Sequence, residues 1–387
     1  MGKGDFELKL LFLCASHTLL HVYTDLPFVL LPILIDEYGL SVLIAGIIVA
    51  VPRVFSLVFS VPCGLLADRL GHTKLISFSL FLQVFAASLI ILFPAVETVV
   101  LGFSLSALAS TFYHPPALSA TTNVLPTGFL SRGLGFHGAS GTFGISLGPI
   151  TLGLVLSWFE WRYVYLIWII PIFVVAVIAF FVNISEPSRE EHDESKGKSL
   201  TTPLKDVLSV TFLSFLLLML FRSAAGGTIS TYLTTYLTEG KGLDVGLAST
   251  VFGLGPLIGL TSVIMGGYVG DRLGWKRSLT SIFSAVTVAL FCVFVSASTF
   301  QTVLFYLVYG FFSSMTMPIT SSLVAKIVPP KSRGTAYSLQ FVPMTIVGIV
   351  MPIILGILID LFEIWIIFPI AIVFYIVVLI ITQVLKM

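Results

Sequence analysis

Runs of about 20 mostly apolar residues follow one another along almost the whole chain, broken only by short polar or Gly/Pro turns. One such run is what a helix needs to cross the hydrocarbon of a bilayer. They fall at about 9–34, 41–65, 73–94, 98–124, 131–158 and 161–183, and again at about 207–236, 245–270, 278–298, 301–326, 334–359 and 364–385. Backbone groups in hydrocarbon find no water to bond, so these segments must satisfy themselves as helices. The pattern predicts an all-α membrane protein with twelve transmembrane helices. Composition leaves little room for a soluble alternative. Charged residues make up 10% of the chain and hydrophobic ones 57%, with a mean hydropathy of +1.06. A soluble domain carries about 25% charged residues, because its surface faces water. With a formal net charge of +1 and no basic tract, no nucleic-acid partner is expected.

The one long polar stretch, Ser185 to Asp206, holds Glu186, Arg189, Glu190, Glu191, Asp193, Glu194, Lys196, Lys198 and Lys205. Such a segment cannot enter hydrocarbon. It reads as a cytoplasmic linker (185–206) between an N-terminal six-helix bundle (1–184) and a C-terminal one (207–387). With the N-terminus inside, 16 of the 20 Lys+Arg fall on the cytoplasmic side. The positive-inside rule therefore places both termini in the cytoplasm. Cys14, Cys63 and Cys292 sit in apolar runs and read as packing residues. The run from Leu10 onward is too long for a signal h-region, so no cleaved leader is expected. Phe6 stands where a myristoylation motif wants Ser or Thr.

The two halves repeat. Gly64-Leu-Leu-Ala-Asp68-Arg69-Leu-Gly71 returns as Gly267-Tyr-Val-Gly-Asp271-Arg272-Leu-Gly274, an offset of 271 − 68 = 203. Pro149-Ile-Thr-Leu-Gly153 returns as Pro352-Ile-Ile-Leu-Gly356 at the same offset, 352 − 149 = 203, and Ser131-Arg132-Gly133 matches Ser332-Arg333-Gly334. Similar halves related by an axis along the membrane normal are the architecture of a rocking transporter. No Walker loop, H-E-x-x-H or G-x-S-x-G in a strand–turn–helix setting is present, so no enzymatic activity and no cofactor are expected.

These motifs resemble the major facilitator superfamily, whose loop between the second and third helices reads G-x-x-x-D-R-x-G followed by basic residues. Here that is Gly64, Asp68, Arg69 and Gly71 with Lys74, and in the second half Gly267, Asp271, Arg272 and Gly274 with Lys276 and Arg277. The resemblance covers essentially the whole chain and implies two pseudo-symmetric six-helix bundles working by alternating access around a central cavity. It also implies that the two acidic loops gate, the acid latching onto a neighbouring helix N-terminus in one state. In the fifth helix, Gly135-x8-Gly144-x3-Gly148-Pro149 is similar to the motif of drug–proton antiporters, departing where Leu152-Gly153 replaces a Gly-Gly pair. Generic small-residue packing explains those glycines equally well. His21-x3-Asp25-x6-Pro32, Tyr113-His114-Pro115 and Arg222 with Tyr232-Leu-Thr-Thr-Tyr236 resemble the fosmidomycin-resistance group. The fourth helix lacks the arginine usual in drug antiporters, and Arg53 in the second is an addition.

Charges within spans cost about 2.5–3.5 kcal/mol at mid-span and therefore mark sites. Asp25, Arg53 and Arg222 are the ones well inside predicted spans. His17, His21 and Asp25, four residues apart, would form one stripe on a helix, suited to proton coupling. The same residues could instead be a structural hydrogen-bonded stripe, with Asp25 paired to Arg53 or Arg222. His17, His21 and Asp25, with Cys14, were also considered as zinc ligands, but one helix face seldom closes a site and no metal is assigned. Arg222, Arg53 and His114 are the candidates for solute contact, and two arginines against one aspartate favour an anionic or polar neutral solute. His114 could equally bond a carbonyl freed by Pro115-Pro116. The expected protein is thus a monomeric, proton-coupled exporter of a small molecule in the plasma membrane, its partners being solute, protons and lipid. Uptake of an organic anion by symport, or a non-transporting sensor, are the alternatives.

Overall fold

The computed structural model describes residues 3–126, 129–182, 209–328 and 333–385. It is all helical. In chain order the elements are α1 (Lys3–His21), α2 (Leu26–Val29), α3 (Leu31–Tyr38), α4 (Val42–Leu70), α5 (His72–Leu92), α6 (Val96–Val124), α7 (Leu130–Val155) and α8 (Tyr163–Phe181). Then come α9 (Val210–Thr235), α10 (Val245–Leu273), α11 (Trp275–Val295), α12 (Thr299–Ile327), α13 (Arg333–Phe362) and α14 (Ile367–Val384). Among the described residues, 11 helices are long and apolar enough to span a membrane by themselves. The twelfth span is a bent pair, Phe6–Val29 with Leu31–Tyr38, turning by 52°. The expected twelve-helix architecture is therefore present, with one span broken.

The break has a local cause. Pro27 and Pro32 lack an amide hydrogen, and each disfavours helical backbone in the residue before it. The chain leaves the regular helix after His21, turns through residues 22–25, restarts at Leu26 with Pro27 in the first turn of α2, and then bends by 52° at Leu30, two residues before Pro32. Elsewhere Pro52, Pro62, Pro115, Pro116 and Pro149 lie inside continuous helices, which the bilayer enforces by offering the backbone no other partner.

The internal repeat is carried into the helices themselves. The spans α4, α5, α6 and α7 begin at 42, 72, 96 and 130, and α10 to α13 begin at 245, 275, 299 and 333, so that 245 − 42 and each later difference equal 203. Paired lengths are 29, 21 and 29 residues for the first three in both halves. The turn that ends each acidic motif is a glycine with positive φ, +85° at Gly71 and +74° at Gly274.

The chain divides into two compact units, Met1–Leu30 with Ile48–Ser195, and Leu31–Ile47 with Lys196–Met387. In the first unit, α5 packs on α6 and α8, and α1 packs on α7; Leu13, Leu20, Tyr113 and Tyr165 are its fully buried centre. In the second, α10 packs on α12, α11 on α12 and α14, and α9 on α13 and α14, around Phe212, Phe283, Tyr232 and Tyr375. There the Tyr232 hydroxyl donates to the Pro352 carbonyl at 2.7 Å. Asp360 accepts the Val42 and Leu43 amides at 3.3 and 3.2 Å, neutralising the N-terminus of α4. The linker expected at 185–206 lies outside the described residues.

Candidate functional site

Asp25 lies in the turn at residues 22–25 that separates α1 from α2, ahead of the 52° bend at Leu30. It is the N-terminal flanking residue of α2, yet its side chain caps no backbone amide there. Its charged partner is Arg53 on α4, which acts on it electrostatically and forms no hydrogen bond with it. The expected stripe of His17, His21 and Asp25 therefore needs correcting. The two histidines share α1, with rings 4.6 Å apart, but α1 ends at His21, and the charge that acts on Asp25 is Arg53, one of the two partners the alternative reading offered.

Beside this pair, within the first unit, lies a cavity of about 80 Å³. Arg53, Gln83, Ser106, Ser110, Ser56 and Thr24 supply its polar lining. Gln83 on α5 is 1% exposed and is held by donating to the Ser106 hydroxyl at 2.8 Å. Leu20, Phe28 and Phe103 complete the wall with apolar surface. A positive charge, an amide and several hydroxyls in an otherwise apolar enclosure is the composition of a small-solute site. Reading only charges from the sequence missed Gln83 and the serines. A glutamine in an apolar run was the available signal, since an unpaired amide in hydrocarbon is costly.

One turn further along α1 is a cluster of four histidines. His17 Nδ1 donates to the His137 carbonyl of α7 at 2.7 Å, and its ring lies between the His137 ring at 4.1 Å and the Tyr113 ring at 5.7 Å, both stacked. His21 Nε2 meets His114 Nε2 of α6 at 3.1 Å. His114 Nδ1 donates to the Ser110 carbonyl at 2.7 Å; the carbonyls that Pro115 and Pro116 free are those of Thr111 and Phe112, so this is not the bond expected of it. His137 was not among the sequence candidates; it stands two residues past Gly135 in the motif of the fifth helix.

That motif has a physical purpose here. A methyl group added at Gly144 would overlap the Thr18 carbonyl oxygen, one at Gly148 that of Val22, and one at Gly141 the His17 ring. These glycines let α7 lie directly on α1 where the histidines are. Gly135 meets nothing within 4 Å, so it takes no part in the seam, and Pro149 is contained within α7.

In the second unit, Arg222 of α9 donates to the Thr316 hydroxyl of α12 from Nε at 3.2 Å and Nη2 at 2.8 Å. Two donors on one hydroxyl leave most of the guanidinium fork for another group. Of the acidic loops, the side chains of Gly64, Asp68 and Arg69 lie outside the described set. In the second copy Arg272 rests over the Tyr268 ring at 4.5 Å, and Lys276 donates to the Gln383 carbonyl at 2.6 Å, while Gly267, Asp271 and Gly274 close α10.

An all-helical membrane protein with repeated halves and polar groups inside its spans is a transporter in class. The chain belongs to the major facilitator superfamily, whose profile matches residues 13–309 and 280–386. It is similar to riboflavin transporter RibZ of Clostridioides difficile (strain 630), with 24% identity over 324 residues, 70% of this chain and 70% of that one. It is also similar to quinolone resistance protein NorB of Staphylococcus aureus (strain JH9), with 24% identity over 221 residues, 57% of this chain but only 42% of NorB. Among solved structures, a bacterial homolog of the human lysosomal transporter Spinster matches with a TM-score of 0.82 at 15% identity, covering 100% of this chain and 97% of that one. The nucleoside transporter NupG matches with a TM-score of 0.82 at 14% identity, covering 98% and 100%. At such identities these structures speak for the fold. The protein is an integral membrane protein and a secondary transporter of small molecules.

Proposed function

We propose that the chain exports a small anionic or polar neutral molecule in exchange for protons, by alternating access of an N-terminal (1–184) and a C-terminal (207–387) bundle joined by the 185–206 linker. The observation that carries this reading is the Asp25–Arg53 pair beside a polar cavity in the first unit. Asp25 takes up and releases the coupling proton, with His21 and His17 as neighbours on the same span. Arg53, Arg222 and His114 contact solute. When Asp25 is protonated, Arg53 loses its counter-charge and becomes free to attract an oxyanion; when solute leaves, the pair re-forms. Proton and anion thereby favour one another, which is the coupling of symport; exchange applies to a polar neutral solute that binds the intact Asp25–Arg53 pair and leaves when a proton reaches Asp25.

Export is supported by the glycine seam of the fifth helix, by likeness to the fosmidomycin-resistance group, and by a relative named for quinolone resistance. The acidic loops at Asp68–Arg69 and Asp271–Arg272 act as latches on the cytoplasmic side, where both termini lie, in a monomer of the plasma membrane. Proton-coupled uptake uses the same residues with the opposite coupling. The test is transport in liposomes carrying an internal pH dye. Solute-dependent proton movement under an imposed gradient supports coupling, its sign separating antiport from symport. Solute flux with no dye response overturns it.

A further inference from the structure

We propose that His17, His21 and His114 bind one divalent metal ion of the zinc, cobalt or nickel class. One ring nitrogen of each lies within 4.8 Å of the others, and the ligands come from two helices, α1 and α6. The sequence offers His17 and His21 as zinc ligands but sets them aside because α1 alone presents a single face; packing supplies the third imidazole, while Asp25 and Cys14 are not part of the group.

Hydrogen bonding sets the nitrogens in the right form. A backbone carbonyl only accepts, so His17 carries its hydrogen on Nδ1 toward the His137 carbonyl, and His114 carries its own on Nδ1 toward Ser110. Both Nε2 atoms therefore present lone pairs, the carbonyl–histidine arrangement that orients metal ligands. His17 is 7% exposed, and its Nε2 is buried with no partner. An unpaired buried acceptor of this kind costs roughly 1–3 kcal/mol when nothing occupies it. The ring cannot turn away, being stacked between His137 and Tyr113, and Gly141 leaves the space that it fills.

The third ligand needs one proton shift. His21 Nε2 and His114 Nε2 are 3.1 Å apart, so with His114 accepting, His21 Nε2–H donates, and His21 Nδ1 accepts from the Thr24 hydroxyl at 3.1 Å. On metal binding the His21 hydrogen passes to Nδ1 and is donated to Thr24 Oγ1, whose own hydrogen rotates away. The ring stays neutral, no net proton is lost, and Nε2 becomes a ligand. Two nitrogens on a tetrahedral zinc with bonds of about 2.0–2.1 Å stand about 3.4 Å apart; His21 and His114 are near that at 3.1 Å, and the His17 nitrogen, within 4.8 Å of both, has to close in on binding. Three imidazoles leave a fourth position open for water, and the ion ties α1 to α6 within one unit.

The test is metal binding by the purified, tag-free full chain in detergent, which needs no transport and so stands or falls apart from the proposed function. Cobalt(II) is titrated and read by its ligand-field absorption, and zinc by calorimetry and by displacement of cobalt. The expected result is one cobalt per chain with the intense bands of tetrahedral coordination, displaced by zinc. His17→Ala, His21→Gln and His114→Ala should each weaken binding by about tenfold or more, while His72→Ala leaves it unchanged. His72 pairs with Ser119, outside the cluster. Size-exclusion profiles and thermal unfolding identify any variant that has not folded. Absence of tetrahedral cobalt bands in the wild type, or equal affinity in a folded variant lacking two of the three histidines, would overturn the proposal.

Discussion

Asp25, in the turn before α2, and Arg53 of α4 act on each other electrostatically within the first unit with no hydrogen bond between them. The separation matters for transport. A tightly bonded pair would hold both charges permanently, whereas a looser one can be opened by a proton on Asp25 or an anion on Arg53. Removing one partner leaves the other without its counter-charge; with Arg53 exposed and Asp25 half-buried, solvent screens much of that loss and the cost stays at about 1 kcal/mol. Arg53→Gln should therefore lower thermal stability and abolish solute binding. Arg53→Gln with Asp25→Asn should regain most of the stability but not the binding. Thermal unfolding and solute-binding titrations on the two variants check both halves of this statement.

The α1–α7 seam discriminates among glycines that look alike in sequence. Gly144→Ala and Gly148→Ala place a methyl against backbone carbonyls of Thr18 and Val22. Backbone cannot rotate aside, so each should cost about 1–3 kcal/mol. Gly135→Ala, with open space around it, should be nearly neutral. Yield of monodisperse protein and melting temperature in detergent distinguish the three. Equal tolerance at all three positions would contradict the packing described.

Backbone conformation makes a second pair of stability predictions. Gly71 and Gly274 have φ of +85° and +74° with ψ of 154° and 157°, a region nearly closed to residues with a Cβ. Alanine at either should destabilise by about 1–3 kcal/mol. Glu363 sits in the same region, with φ 72° and ψ 164°, as the one non-glycine residue with positive φ among those described. Glu363→Gly should therefore raise thermal stability, by about 1 kcal/mol.

Thr316 positions Arg222 through two hydrogen bonds to one hydroxyl. Thr316→Val keeps the shape and removes the acceptor. If Arg222 contacts solute, the variant should bind it about tenfold more weakly, since losing a hydrogen bond to a charged group costs about 1.5–3 kcal/mol. Thr316→Ser should restore it. Unchanged affinity in Thr316→Val would remove Arg222 from the solute site.

The spans and their repeat were legible because their cause is local. A segment surrounded by lipid has to be apolar and helical, and a duplicated half keeps its motifs at one offset, as Asp68 and Asp271 do. The turn after His21 and the bend at Leu30 were harder to see, because prolines such as Pro27 and Pro32 also fit continuous spans such as α6, which contains Pro115 and Pro116. Asp25 and Arg53 stood out as charges in apolar runs, with Arg53 and Arg222 both open as partners of the acid; that Arg53 is the one acting on it depends on how α4 packs, which no local pattern reports. Gln83, His137 and the convergence of His114 on α1 depend on packing in the same way. A histidine on a helix of its own carries no sign of the imidazoles it will meet.

The central claim is that Asp25 carries the coupling proton, and the most direct measurement compares the wild type with Asp25→Asn in liposomes containing a pH dye. A panel of anionic, neutral and cationic solutes is added under an imposed proton gradient. The account predicts solute-dependent proton flux in the wild type, and its loss in Asp25→Asn while solute binding persists. Undiminished flux in the folded variant would contradict it, leaving Asp25 a structural partner of Arg53.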